Sequence, residues 1–371
     1  MNLEKPSEKQ RESSSATDLE KNEVEYESTM LIQDQEPWKP FDSKNIGEDS
    51  KRLPASPEQI KKMDQKLKDL SVLFNGFDKW HLDGALNISL LKKEYIGNHK
   101  DVDLSVERSD LKDLEIFLEK KGYDLFLSQD KKEGYNIKTI MRRVSSVGMR
   151  NYKGHPMICA LGEKGKIDDS KNLNYVDLHV VDRDANNLPI LTSGVNCPEE
   201  WTKNYLVTKE GQKINLSHPA KVLYYKLNQG RNYDSTDLDR LLELDVIKES
   251  DIDEIKSIYE KEFVKKRELI FSLCDKITQK IKPEMEGDAI FEKIKELEEF
   301  KDKNEMDESL KLFANEIVKL KEKSPESVFN LATTMFNVEG KNQEKISRLE
   351  RMGQAIRDEE KLKNIRNEIK M

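Results

Sequence analysis

Two aspartates two residues apart, Asp101 and Asp103, stand in the run His99-Lys100-Asp101-Val102-Asp103-Leu104. The alternation of Val102, Leu104 and Val106 with polar residues predicts a strand, on which residues two apart share a face. The two carboxylates then project together while their apolar partners enter a core. Like charges held side by side repel each other unless something positive sits between them. A divalent magnesium ion fits, because hard cations take oxygen ligands and keep open positions for phosphate. A third acid, Asp177, lies in a second alternating run. Tyr175, Asp177, His179 and Val181 share one face of it, and Val176, Leu178 and Val180 the other. Two acids on one strand and a third on its neighbour can hold two ions about 4 Å apart, clamping the attacking and leaving oxygens of an in-line displacement.

The elements that carry these residues follow from periodicity and punctuation. Ser56, Pro57 and Gln59 form a helix-start signature. Ile60, Met63, Leu67, Leu70 and Phe74 then recur at helical spacing, and Asn75-Gly76 ends the helix. Strands are expected at 80–82, 101–107, 123–127, 138–143, 157–161, 174–182 and 188–191. Helices are expected at 85–93, behind a turn at Gly84, and at 110–121. From Ser217 the sequence becomes helical. Ser217 is expected to cap a helix led by Pro219, Thr236 opens a second, and Ser250 opens a long third that Pro283 breaks. Three further helical stretches are expected after residue 284. The pattern is α/β (α+β): a mixed sheet flanked by helices, then a helical subdomain and a helical C-terminal tail.

At 371 residues the chain has room for two or three domains. Charged residues make up 37%, and the net charge is -8. That balance gives no general attraction to nucleic acid, so a nucleic-acid partner is disfavoured. Cys159, Cys197 and Cys274 are too scattered for a zinc site or a disulfide framework and read as reduced thiols. No apolar run approaches the length of a membrane span, and no signal-peptide pattern is present, so a cytoplasmic location is expected and a membrane partner is not. Gly162-Glu163-Lys164-Gly165 reads as a turn, since no Gly-Lys-Ser/Thr follows it. His81, His155 and His218 show no pairing.

With these residues in place, the chain resembles the DNA polymerase β-like nucleotidyltransferases, most nearly their aminoglycoside and lincosamide nucleotidyltransferase branch. Trp80, Asp83-Gly84, Leu90-Leu91 and His99-Lys100-Asp101-Val102-Asp103 stand where that branch has a Trp, an Asp-Gly-Gly, paired leucines and His-x-Asp-x-Asp. Val176-Asp177-Leu178-His179 matches the setting of its third acid. Pro219, Lys226, Arg231, Asp234, Asp237 and Leu238 follow the order of its later helical motif. The resemblance covers roughly residues 60–245.

It implies a metal-dependent enzyme that moves a nucleoside monophosphate from a nucleoside triphosphate to a hydroxyl, with pyrophosphate leaving. Asp101, Asp103 and Asp177 would be the catalytic acids and the ligands of two Mg2+ ions. Gly84, Ala85 and Lys226 would bind the nucleotide, and His99 and His179 would support the acids from behind. The expected acceptor is a small aminoglycoside- or lincosamide-like molecule. The alternatives are a nucleotidyltransferase-type toxin acting on tRNA or protein, and a weakly active nucleotide-binding module. Two positions depart from the family pattern. Ala85 replaces a second Gly or Ser but keeps its amide N–H, and Gly97 replaces an Arg, losing a bidentate donor. The expected division is 1–55 a disordered acidic and polar tail, 56–200 the nucleotidyltransferase domain, 201–283 a helical substrate-side subdomain and 284–371 a charged helical tail. That tail is where a protein partner or self-association is expected.

Overall fold

The computed structural model describes residues 25–27, 55–95, 102–133, 136–151, 156–168, 170–171, 176–203, 205–209, 212–229, 234–244, 246–300 and 306–369. The chain forms two compact units, Met1–Thr192 with Asn196–Ile247, and Ser193–Val195 with Lys248–Met371.

The first unit is built on a mixed sheet. Its strands in chain order are β1 (Glu25–Glu27), β2 (His81–Leu82), β3 (Val102–Glu107), β4 (Tyr123–Glu133), β5 (Asn136–Val144), β6 (Met157–Ala160), β7 (Val176–Arg183), β8 (Pro189–Ile190), β9 (Tyr205–Lys209) and β10 (Gln212–Leu216). They lie side by side in the order β1-β5-β4-β6-β7-β3-β2-β10-β9, with β8 on β7. The β3–β7 and β2–β10 pairs are parallel and the others antiparallel. Around the sheet lie α1 (Pro57–Leu73), α2 (Gly84–Lys92), α3 (Leu111–Lys120), α4 (Pro219–Gln229) and α5 (Asp234–Glu243).

α1 starts as its sequence predicts. The Gln59 N–H donates to the Ser56 hydroxyl, and the Ser56 N–H donates back to Gln59 Oε1 at 2.7 Å. Met63, Leu67 and Leu70 of α1 pack with Leu86 and Leu90 of α2 and with Leu111, Leu114 and Leu118 of α3. Against them lie Leu82, Val102, Leu104, Val106, Val176 and Leu178 of the central strands. This core takes up one set of alternating positions on β3 and β7, so the other set is left to polar residues.

Several expectations change. Strands β9 and β10 form a hairpin where no strand was expected. Its strands are the short alternating runs of 205–209 and 212–216. The N-cap of α4 is His218 rather than Ser217: the Ala220 N–H donates to His218 Nδ1 at 3.2 Å. Ser217 is drawn elsewhere, because its N–H joins the Leu82 carbonyl and continues the β2–β10 pairing. Within the span expected to be a disordered tail, β1 pairs with β5, whose outer edge offers unpaired ladder groups.

The second unit is helical among the described residues: α6 (Glu249–Lys280), α7 (Gly287–Lys295), α8 (Asp307–Val318), α9 (Pro325–Met335) and α10 (Val338–Ile369). Among the described residues after 284 there are thus four α-helices, not three. Cys274 and Ile277 of α6 share one core with Ile290, Phe291, Ile294, Leu310, Phe313, Ile317 and Val328. Because α6 runs unbroken into that core, the division falls after Ile247 rather than at 200 and 283. No helix among the described residues is long and apolar enough to cross a membrane.

Candidate active site

Parallel pairing of β3 with β7 sets Asp103 opposite Asp177 and Ser105 opposite His179. Paired positions on parallel strands present their side chains to the same face, so these four polar residues form one patch opposite the core. Val102, Leu104, Val176 and Leu178, one residue away, are fully buried on the other face. Asp101, His99 and Gly97 lie outside the described residues. Among the described residues no three His, Cys, Asp or Glu side chains gather as a metal-ligating group. Asp103 and Asp177 are the two expected ligands that the structure places.

The turn from β2 into α2 closes on this patch. Gly84 has φ +65, a left-handed conformation that costs a residue with a Cβ about 1–2 kcal/mol. A Cβ there would also stand 1.9 Å from Asp103 Oδ2. Glycine is therefore required twice over, by conformation and by the carboxylate beside it. Ala85 follows in the first turn of α2, where amide N–H groups have no intrahelical acceptor. The Asp83 N–H donates to the Asp103 carbonyl at 2.7 Å, which ties the turn to β3.

Behind the patch sits a buried charge pair that the sequence reading did not single out. Asp83 holds the N-cap position of α2, yet its side chain does not cap the helix. Its Oδ2 accepts from Lys221 Nζ at 2.8 Å and lies 3.4 Å from His179 Nδ1. Burial alone would push the Asp83 carboxyl upward. The Lys221 ammonium and the His179 hydrogen bond more than offset this and hold it far below the usual carboxylate range. Lys221 also donates to the Ser105 hydroxyl at 2.6 Å and approaches the Ser217 hydroxyl at 3.4 Å. On its other side His179 turns Nε2 toward Asp103 Oδ1, 3.7 Å away. Burial lowers the His179 pKa, but the Asp83 hydrogen bond and the nearby Asp103 charge outweigh it and raise the pKa above its ordinary value. A signal for Lys221 was present in the sequence. It is a lone charge inside the apolar run 219–225, next to the buried Ala220, Val222, Leu223 and Tyr224.

Lys226 is buried, with its ammonium 2.9 Å from the Asp237 carboxylate, and this pair joins α4 to α5. Asp237 is itself buried. Of the scattered cysteines, burial pushes the Cys197 thiol up to about 11 and that of Cys274 up to about 12, as befits inert thiols rather than nucleophiles.

No family model matches the chain, and no curated protein sequence does. Solved structures include two similar ones. The lincomycin-bound lincosamide antibiotic adenylyltransferase LnuA is 13% identical; the match covers 51% of this chain and 97% of that one, with a TM-score of 0.30. An antigenic nucleotidyltransferase-like protein from Paracoccidioides brasiliensis is 16% identical; the match covers 52% and 78%, with a TM-score of 0.26. Both are likenesses to about half of this chain, and neither bears on what it acts on.

Proposed function

We propose that this protein is a metal-dependent nucleotidyltransferase. It moves a nucleoside monophosphate from a nucleoside triphosphate to a hydroxyl of a small acceptor of aminoglycoside or lincosamide type. The observation that carries this reading is the pairing of Asp103 with Asp177 on adjacent parallel strands beside the side-chain-free turn at Gly84. Hard carboxylate oxygens suit magnesium, and Asp103 and Asp177 are paired side by side on one face of the sheet, so the residues present fit the ion. Asp101, Asp103 and Asp177 would hold it. When bound, magnesium would neutralise charge on the phosphates and lower the acceptor hydroxyl's pKa.

The chain's own residues do the rest. Gly84 lets the backbone come close to the triphosphate, and the Ala85 amide is a first-turn donor for a phosphate oxygen. Asp177 accepts the acceptor's proton as the hydroxyl oxygen bonds to the α-phosphorus. The bond from that phosphorus to the bridging oxygen breaks, and pyrophosphate leaves. Catalysis of this kind is mostly positioning and charge neutralisation.

The test is full-length protein with Mg2+, labelled triphosphates and a panel of hydroxyl acceptors, aminoglycosides, lincosamides and tRNA among them. Transfer to a small acceptor that Asp103→Asn abolishes supports the reading. Transfer that Asp103→Asn leaves intact contradicts it, and transfer to tRNA alone moves the protein to the toxin class. One observation favours a second reading, a nucleotide-binding module with little turnover. The lysine expected at the triphosphate, Lys226, is taken up by Asp237. Calorimetry showing triphosphate binding without pyrophosphate release would select that reading.

A further inference from the structure

Lys221 is buried, its side chain only 7% exposed, so it is not a group that meets a substrate. An ammonium has three donors and no acceptor. Here three oxygens from three separate elements stand around it: Asp83 Oδ2 at 2.8 Å, Ser105 Oγ at 2.6 Å and Ser217 Oγ at 3.4 Å. They belong to the turn before α2, to β3 and to the turn before α4. Burying a charge pair costs several kcal/mol in desolvation, and an apolar pair of the same size packs equally well or better. Fold stability alone therefore gives little reason for this pair. What the pair does provide is a fixed carboxylate at Asp83. That carboxylate fixes the Nδ1 side of His179, whose Nε2 faces Asp103 Oδ1. Ser105, held by the same ammonium, sits directly opposite His179 in the β3–β7 register.

We propose that Lys221 is a positioning residue for the acidic patch, acting through Asp83 and His179 to set the orientation of Asp103. The inference rests on the metal-site reading above. Groups that orient ligating carboxylates from behind typically cost about 10–100-fold in metal affinity when they are removed.

The test uses the full chain and Mn2+ alone as probe, with free Mn2+ followed by electron paramagnetic resonance and folding by thermal unfolding. Wild type is compared with Lys221→Met, Asp83→Asn and the double variant. Lys221→Met is expected to weaken Mn2+ binding about 10–100-fold. Because Lys221 acts through Asp83, the double variant is expected to bind no worse than the weaker single variant. Should a single variant prove too unstable to measure, the double variant carries the test, since it buries no unpaired charge. It is expected to melt near wild type and still bind Mn2+ weakly. A double variant with wild-type melting and wild-type Mn2+ affinity overturns the inference and leaves the metal-site reading standing, as do fully additive losses from the two single variants. A wild type that takes up no Mn2+ overturns the metal-site reading and takes the inference with it.

Discussion

At the scale of single residues, the site depends on one atom that is missing. Gly84 and Gly76 both have positive φ, +65 and +92, but only Gly84 has a neighbour where a Cβ would go. Gly76→Ala meets nothing within 4 Å, so it carries the backbone strain alone, about 1–2 kcal/mol. Gly84→Ala carries that strain and also displaces the Asp103 carboxylate. Urea unfolding is expected to rank Gly84→Ala as the more damaging change, and only that variant should lose transfer activity as well. Equal losses of stability, with activity kept in both, would mean that the close approach to Asp103 does not matter. Much at this scale was legible in the sequence. Asp103, Asp177 and His179 stand out because polar residues alternate with Val and Leu in two separate runs, and period two leaves one choice of face. The Lys221–Asp83 pair was not legible as a pair. Its members are 138 residues apart, and only the parallel pairing of β2 with β10 brings their turns together.

At the scale of elements, buried and half-buried ion pairs fasten helices and turns to the sheet. Lys226 and Asp237 join α4 to α5 with 5% and 1% side-chain exposure. Removing one member breaks a buried ion pair, so Lys226→Met is expected to cost about 3–5 kcal/mol. Adding Asp237→Leu should recover most of that loss, and the double variant should keep the wild type's nucleotide affinity in calorimetry. Loss of nucleotide binding in a well-folded double variant would return Lys226 to the triphosphate. The pairing of Lys226 with Asp237 was not legible from the motif order around Pro219, because spacing along a chain does not say which way a helical residue faces.

A second clamp has a pH signature. Arg183 at the end of β7 donates to both Glu107 and Glu199, and its hydrogen bond holds the Glu199 carboxyl below its usual range. A depressed carboxylate contributes stability above its unfolded pKa, about 4.3, and loses it as pH falls through the folded value. Thermal unfolding of Glu199→Gln should therefore fall below that of wild type at neutral pH and converge with it in acid. A gap that widens toward acid would be the wrong sign. The hairpin β9–β10 was missed for a different reason. Each of its strands has five residues, too short for alternation to stand out between charged neighbours.

At the scale of the whole molecule, each of the two units has its own apolar core. Every placed member of the candidate site lies in the first unit, and the second is helical with its own apolar centre. Ile317 is fully buried in that centre, and Ile317→Ala is expected to cost about 2–5 kcal/mol. Hydrogen exchange should show that loss within residues 248–369, while the amides of β3 and β7 keep their protection. Matching loss of protection in β3 and β7 would show the two units unfolding as one. The charged helical stretches after residue 284 were legible from period and punctuation. Their division from the sheet unit was not, because α6 reads as a continuation of the helices before it. The proposed function requires acids from separate strands to share bound metal at one patch of the sheet. Its most direct test is a crystal of the full chain soaked in Mn2+ and measured for anomalous scattering. A peak is expected within bonding distance of the carboxylates of both Asp103 and Asp177. A chain that binds Mn2+ only elsewhere, or that turns Asp177 away from Asp103, would contradict it.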